Sequence, residues 1–266
     1  MSEPEKGEAQ KSELLAEGTL MSHLLELRDR LMKAMVALLL AFVPCAIYSN
    51  ELYDIVSRPL VAKLPEGSTM IAIGVIAPFM APFKLSFYVA LFAAMPVVIY
   101  QLWAFIAPGL YRREKRFAVP LLVSAVLLFY VGVFFAYFAV FPVMFEYLVH
   151  SGPTSVKMQT DISSYLDFVV TLFFAFGVAF EVPVAVVLLV ITGIVKVEKL
   201  SENRGYVLIG IFVVAAILTP PDALSQCIMA VPMYLLYEGG VVMARIMQKM
   251  RRDAADEREK EEAKAS

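Results

Sequence analysis

Two glutamates of this sequence lie within clusters of basic residues. Glu26 belongs to the segment LLELRDR and Glu114 to YRREKR. A carboxylate can accept two parallel hydrogen bonds from the planar guanidinium of an arginine, so both acids are candidates for binding a cationic partner segment. The alternative is that they only balance the charge of their neighbours on a solvated loop.

A third glutamate interrupts an apolar run. Glu181 lies in AFGVAFEVPVAVV, and a carboxylate inside a membrane costs at least about 2.5–3.5 kcal/mol on insertion scales. We therefore expect Glu181 to face protein or water, in a polar groove, at a partner contact or in proton handling. The alternative is a structural hydrogen bond to a backbone group freed near Pro183.

A polar turn follows two consecutive prolines near the end of the apolar sequence. Asp222 comes directly after Pro220 and Pro221, and Thr219 and Gln226 flank the same turn. Hydrogen bonds between membrane helices contribute about 0.6–2 kcal/mol each, which makes this turn a candidate docking site for a partner helix. A plain N-cap role for Asp222 in the next helix is the alternative.

Known enzyme motifs are absent from the sequence. It has no phosphate-binding GxxxxGK[ST] loop and no HExxH, and its two histidines, His23 and His150, are isolated. Cys45 and Cys227 lie alone in apolar runs, which indicates small buried residues, with a disulfide near the outer face as the minor alternative. The net charge of −2 argues against a nucleic-acid partner. We expect no catalytic residue, no metal and no cofactor.

The elements that must position these residues are membrane-spanning helices. The chain is 60% hydrophobic and only 18% charged, and its uncharged stretches at residues 85–111 and 117–145 are longer than the roughly 20 residues that a span requires. We predict an all-α integral membrane protein whose prolines kink the helices into a curved scaffold. The six predicted transmembrane helices are residues 31–49, 85–107, 119–141, 166–191, 206–219 and 223–244.

The fifth predicted span is unusually short. At about 1.5 Å per residue it does not match a hydrocarbon core of about 30 Å, so it implies local thinning or association with other helices. The alternative is that a boundary of this predicted span is misplaced and the span is longer. Arg204 and Asp222 bracket the segment closely, which favours a short span.

The distribution of cations predicts the orientation. With six spans, most basic residues near the membrane share one side of it, and by the positive-inside tendency that side is the cytosol. Both termini are then cytosolic. The clusters on that side lie at residues 28–33, 112–116, 196–204 and 245–252.

Three segments fall outside the predicted spans. Residues 1–20 are expected to be a flexible cytosolic leader before a helix capped by Ser22, and residues 246–266 a charged cytosolic tail. Residues 50–83, which include Pro59, are expected to form a cap on the outer face, because prolines and a glycine interrupt the apolar run within them.

Several stretches of the chain resemble the TatC family of twin-arginine protein translocase subunits. The most specific are YQLWAFIAPGLYRRE, at residues 100–114, and LTPPDALSQ, at residues 218–226. HLLELRDRL, PEGSTMIA, VPLLVSAVLLFYVGVFFAYF and AFGVAFEVPVA add to them. The resemblance covers essentially residues 20–245.

This resemblance implies a receptor that binds the paired arginines of signal peptides. It implies a core subunit that exports folded proteins with TatA-like and TatB-like single-span partners, driven by the proton-motive force and without enzymatic activity. We expect a higher-order complex in the bacterial inner membrane, since no transit peptide is evident.

The resemblance also assigns roles to individual residues. Signal-peptide binding falls on Glu26, Arg28, Phe105 and Glu114; the buried glutamate of the family falls on Glu181, its outer turn on Thr219, Asp222 and Gln226, and its outer cap on Pro59. One departure is Gly74, where many relatives carry an acidic residue.

Two other classes of function remain open from the residues alone. One is a secondary transporter of small solutes with Glu181 as its proton site, although no internal repeat is visible. The other is a structural scaffold that docks single-span helices, with Thr219 and Gln226 at the docking edge.

Overall fold

The structure, a computed structural model, describes residues 3–61, 71–106, 115–150, 161–219 and 223–265. This described part is helical apart from turns and one isolated bridge between Ile71 and Asp161. Five helical stretches are long and apolar enough to cross a membrane: Met21–Ile47, Ala77–Phe105, Val119–Tyr147, Ile162–Ile191 and Ala223–Met250. The predicted all-α membrane class is confirmed. The six-span count, the curvature of the scaffold and the orientation remain predictions.

The chain forms two compact units. The first contains Met1–Leu52 and Phe83–Leu122, and the second contains Tyr53–Pro82 and Val123–Ser266.

Helix α1 of the first unit, Glu3–Ile47, is longer than we expected. It includes residues 3–20 in place of a flexible leader, and Ser22 lies inside it instead of capping it. Residues 5–17 are rich in strong helix formers such as Glu, Lys, Ala and Leu. They extend a helix that the apolar segment already nucleates, and nucleation is the costly step.

Helix α1 packs beside α3, Ala77–Ile106, through aromatic side chains. The ring of Phe42 meets the ring of Phe83 edge-on at 5.3 Å between centroids and that of Phe87 at 6.1 Å. Helix α3 begins before the predicted residue 85, so part of the expected outer cap belongs to it. Pro78 does not prevent this because a proline is tolerated in the first turn of a helix.

Helix α2, Ser49–Val61, lies mostly in the second unit and continues through Pro59. It is tied to the start of α6, Ile162–Ala179, by the Tyr165 hydroxyl, which donates to the Val56 carbonyl at 3.2 Å. Asp161 caps α6 by accepting from the Ser164 amide at 3.0 Å, and it also accepts from the Ile73 amide at 3.3 Å. The Ser164 amide is the main cause of the lowered pKa of Asp161.

The third long span combines α4, Lys115–Phe135, a π-helical turn at Ala136–Val140, and α5, Phe141–His150. In this turn the Phe141 amide donates to the Ala136 carbonyl, five residues earlier. The next residue, Pro142, would clash with a carbonyl of a regular α-helix. The wider turn accommodates the proline without ending the span.

Glycines allow α4 and α6 to approach closely. A Cβ atom at Gly132 would lie 2.5 Å from the Phe176 carbonyl oxygen, and one at Gly177 would lie 2.6 Å from the Phe129 ring. Phe129 and Phe176 are almost fully buried. Close packing of this kind replaces the hydrophobic effect as the source of association between helices in lipid.

The fourth long span is divided at Glu181 into α6 and α7, Val182–Ile191. Helix α7 packs mainly on α10, Ala223–Ala265. A Cβ atom at Gly240 of α10 would lie 2.7 Å from the Pro183 Cα atom, whereas one at Gly239 would meet no atom of another described helix within 4 Å.

Two short helices complete the second unit. They are α8, Val197–Glu202, and α9, Arg204–Leu218. The expected short fifth segment is thus a helix of 15 residues, and it packs mainly on α10.

Replacing Gly240 by alanine should destabilise the protein, because the added methyl group must displace backbone atoms of α7. Overpacking of this kind costs about 1–3 kcal/mol. Thermal unfolding of the purified protein in detergent should show a lower midpoint for Gly240→Ala. The matched variant Gly239→Ala should leave the midpoint unchanged or slightly raised, and equal midpoints for the two variants would contradict the close contact.

Candidate functional site

One face of α1 carries the polar residues of the candidate site. His23, Glu26 and Arg30 are spaced by three and four residues, so they lie one above the other on the helix surface. This arrangement follows from the regular helix that the whole segment forms.

Glu26 is held by an arginine of its own helix. Arg30 donates from Nε at 2.9 Å and from Nη2 at 2.5 Å, and both bonds fall on Oε1 of Glu26. The two side chains are partly exposed, 38% for Glu26 and 23% for Arg30. Within the described residues Arg30 is the only hydrogen-bonded or ion-pair partner of Glu26. The site can therefore bind a guanidinium group, and in this structure it holds one.

Phe105 is brought to the same face of α1 by a histidine. The rings of His23 and Phe105 stack with centroids 4.3 Å apart and planes 23° from parallel. The stack joins α1 to the C-terminal turn of α3. His23 and Glu26 are one turn apart, so Phe105 lies beside the face that carries Glu26. The sequence interpretation of His23 as an isolated residue missed this contact, because its partner lies on another helix.

Arg28 does not share this face. Two residues separate it from Glu26, which turns its side chain to another side of the helix. Its guanidinium instead bonds to Asp29 at 2.9 and 3.1 Å, with 68% of the side chain exposed. Glu114 lies outside the described residues. The structure thus groups Glu26 with Phe105 and separates Arg28 from them.

Glu181 lies at the break between α6 and α7. Its side chain makes no capping hydrogen bond to α7, and its Oε1 atom is buried without a hydrogen-bond partner among the described residues. The alternative interpretation, a structural hydrogen bond to the backbone near Pro183, gains no support from this geometry. The arrangement can accept a hydrogen bond from a further polar group.

The predicted outer turn is only partly described. The Thr219 hydroxyl is buried and donates to the Ala215 carbonyl at 2.8 Å, so it is engaged within α9. Gln226 is half-buried in the first turn of α10. Asp222 lies outside the described residues, as does the side chain of Pro59.

The start of α9 is fixed to α10 by an ion pair that sequence reasoning did not find. Arg204 donates from Nη2 to Oε2 of Glu238 at 2.8 Å, and its Nε lies 2.6 Å from Oε1. The Tyr234 hydroxyl also donates to Oε1, at 3.0 Å. Tyr237 donates to the Leu200 carbonyl at 2.7 Å. The sequence feature that could have drawn attention to this site is Glu238, the single charged residue in the run YLLYEGGVV at residues 234–242.

The fold and these sites define a multi-pass helical membrane protein with an arginine-binding carboxylate on its first helix. Residues 22–232 match the family model described as TatC, Sec-independent protein translocase protein. The chain belongs to the TatC family. The family consists of components of a protein translocase, so the expected role in protein transport is confirmed in this general form.

Two relatives and a solved structure support the assignment to this family. The chain is 56% identical to the TatC protein of Azotobacter chroococcum mcd 1, over 89% of this chain and 93% of the relative. It is 53% identical to that of Escherichia coli K12, over 85% and 88%. A crystal structure described as the twin arginine translocase receptor TatC is 35% identical, with a TM-score of 0.75 over 84% of this chain and 98% of the other.

Replacing His23 by alanine should remove the stack that joins α1 to α3. An aromatic pair contributes about 0.5–1.5 kcal/mol, and we expect the lower end because His23 is exposed. His23→Phe keeps a ring and should retain most of this stabilisation.

A double-mutant cycle with Phe105→Ala, followed by thermal unfolding in detergent, measures this contact. The His23→Ala effect should vanish when Phe105 is already alanine. Equal effects in the two backgrounds would show that the rings do not stabilise each other.

Proposed function

We propose that this protein is the signal-peptide receptor and core subunit of a twin-arginine translocase. In this role it binds the paired arginines of signal peptides on proteins that are already folded. Membership of the TatC family supports the proposal, and so does the likeness to a structure whose description names a twin arginine translocase receptor.

The observation that carries the proposal is the guanidinium bound at Glu26. Arg30 donates two hydrogen bonds to this carboxylate, which is the chemistry that an arginine of a signal peptide requires. Glu114 supplies the second carboxylate in our proposal. Two charge-assisted hydrogen bonds of about 1.5–3 kcal/mol each, with burial of the apolar part of the peptide, suffice for micromolar affinity.

The proposed signal-peptide contacts of Phe105 and Arg28 rest on different evidence. The ring of Phe105 lies beside the Glu26 face through its stack with His23, where it can cover the apolar part of a bound peptide. The assignment of Arg28 rests on the family resemblance, because its side chain is turned away from Glu26 and bonds to Asp29.

The proposed topology has six spans with both termini in the cytosol of a bacterium. The five long helices and the shorter α9 would each cross the inner membrane. The clusters of cations support this orientation, which places Glu26 and Glu114 at the cytosolic face. A signal peptide reaches that face before export.

TatA-like and TatB-like single-span subunits and the proton-motive force complete the proposed translocase in a higher-order complex. Glu181 offers a buried oxygen without a described partner, so a polar side chain of a partner helix could bond to it. Gln226, with Asp222, is the proposed docking contact. Thr219 is less suited because its hydroxyl already bonds to Ala215.

Neutralising the proposed receptor acids should weaken peptide binding. Glu26→Gln and Glu114→Ala should each reduce the affinity of the purified protein for a twin-arginine peptide about tenfold or more, since each removes a charge-assisted hydrogen bond. Titration of a labelled synthetic peptide measures this affinity.

The matched control is Glu202→Gln, which neutralises an exposed acid at the end of α8. It should leave the affinity unchanged. If both receptor variants fold and bind the peptide as tightly as the unaltered protein, the receptor assignment is wrong.

Gln226→Leu should weaken the co-purification of a small single-span partner, because it removes a polar group from the proposed docking edge. Thr219→Val keeps the shape and removes a hydroxyl that is engaged within α9, so it should have a much smaller effect. Quantified recovery of the partner from detergent extracts measures both. Full recovery with Gln226→Leu would exclude this residue from the docking contact.

A further inference from the structure

The guanidinium that occupies Glu26 belongs to the protein itself. Arg30 lies one turn after Glu26, on the same face of α1, and its Nε and Nη2 both donate to Oε1. Arg30 is the less exposed of the pair, at 23%. The neighbouring Arg28 bonds to Asp29 instead. A single arginine therefore occupies the carboxylate at which we place an arginine of the signal peptide.

We propose that Arg30 is a built-in competitor that must release Oε1 of Glu26 before a signal-peptide arginine can bind both oxygens of this carboxylate. The inference rests on the proposed receptor function and adds a regulatory residue to it. The resident and incoming groups are chemically identical. A guanidinium that binds a carboxylate through two parallel hydrogen bonds uses both oxygens, and Oε1 already accepts two bonds from Arg30. An incoming arginine can therefore reach only Oε2 until Arg30 leaves Oε1. Binding is thus an exchange of one arginine for another.

Such an exchange leaves the Glu26 carboxylate oriented when no peptide is present and still accessible to a peptide. Arg30 compensates the charge of the carboxylate and orients it in the absence of a peptide. An ion pair of this spacing on an exposed helix shifts an equilibrium only about twofold, so a peptide can displace it. The competitor raises the apparent dissociation constant of every ligand that uses Glu26 by the same factor. Arg30 therefore lowers the affinity for all ligands of Glu26 alike. Weakly binding cationic ligands then occupy the site less, but Arg30 does not itself distinguish among ligands.

Removing the competitor should tighten binding. We expect the full-length Arg30→Gln protein to bind a synthetic twin-arginine peptide about twofold more tightly than the unaltered protein. In a Glu26→Gln background the same substitution should give no gain, because no carboxylate remains to be released. Arg30→Met provides a second variant if Arg30→Gln is not monodisperse on size-exclusion chromatography.

The control for a general loss of positive charge is Lys33→Gln. Lys33 is an exposed cation three residues further along α1 and has no hydrogen bond or ion pair to Glu26. It should give a smaller gain than Arg30→Gln, and that gain should persist in the Glu26→Gln background.

The possible outcomes separate this inference from the receptor function. If Glu26→Gln weakens binding but Arg30→Gln gives no gain, or gives the same gain without Glu26, Arg30 is not a competitor and the receptor function stands. If neither Glu26→Gln nor Glu114→Ala changes the affinity, both the receptor function and the competitor are wrong.

Discussion

Lipid offers no hydrogen-bonding partner, and this constraint governs both the backbone and the acidic side chains of the protein. The backbone responds by forming helices, whose hydrogen bonds are internal. Among the acidic side chains, Glu26 pairs with Arg30 of its own helix, and Glu238 of α10 pairs with Arg204 of α9. Glu181 is different because one of its oxygens is buried without a described partner. The acids thus mark both the contacts that fix the helices and the places where a further group can bind.

The paired acids differ in what they join. Arg204 and Glu238 belong to different helices and are separated by 34 residues, so their bond holds α9 on α10. Glu26 and Arg30 belong to one helix, and their bond adds little to the fold. A contact that contributes little to stability can be exchanged at little cost, which suits a binding site.

The hydrophobic pattern was sufficient to predict an all-helical membrane protein, because spans are defined by length and by the absence of charge. It did not predict the helix that begins at Glu3, since polar segments carry no membrane signal and their helicity here continues that of α1. The pattern also did not predict the break at Glu181, since residues 166–191 were expected to form one span, kinked by Pro183. The π turn before Pro142 was not predicted, because a proline alone does not show whether a helix kinks, widens or ends.

Prediction of the site was limited by contacts between distant residues. Glu26 was selected by its basic neighbours and by the family resemblance, and Phe105 by the resemblance alone. The structure brings them together through His23. The partners of His23 and Glu238 lie on other helices, and a single sequence does not reveal such pairs. Spacing along α1 could have separated Arg28 from Glu26, since residues two apart do not share a helix face.

Photocrosslinking would show directly which helix faces contact a bound twin-arginine peptide. A twin-arginine peptide with a photoreactive residue beside its paired arginines would be bound to the purified protein, irradiated, and its adducts mapped by mass spectrometry. We expect adducts on the α1 face that carries His23, Glu26 and Arg30, and on the last turn of α3 near Phe105. Adducts distributed evenly around α1, or confined to the second unit, would contradict this expectation.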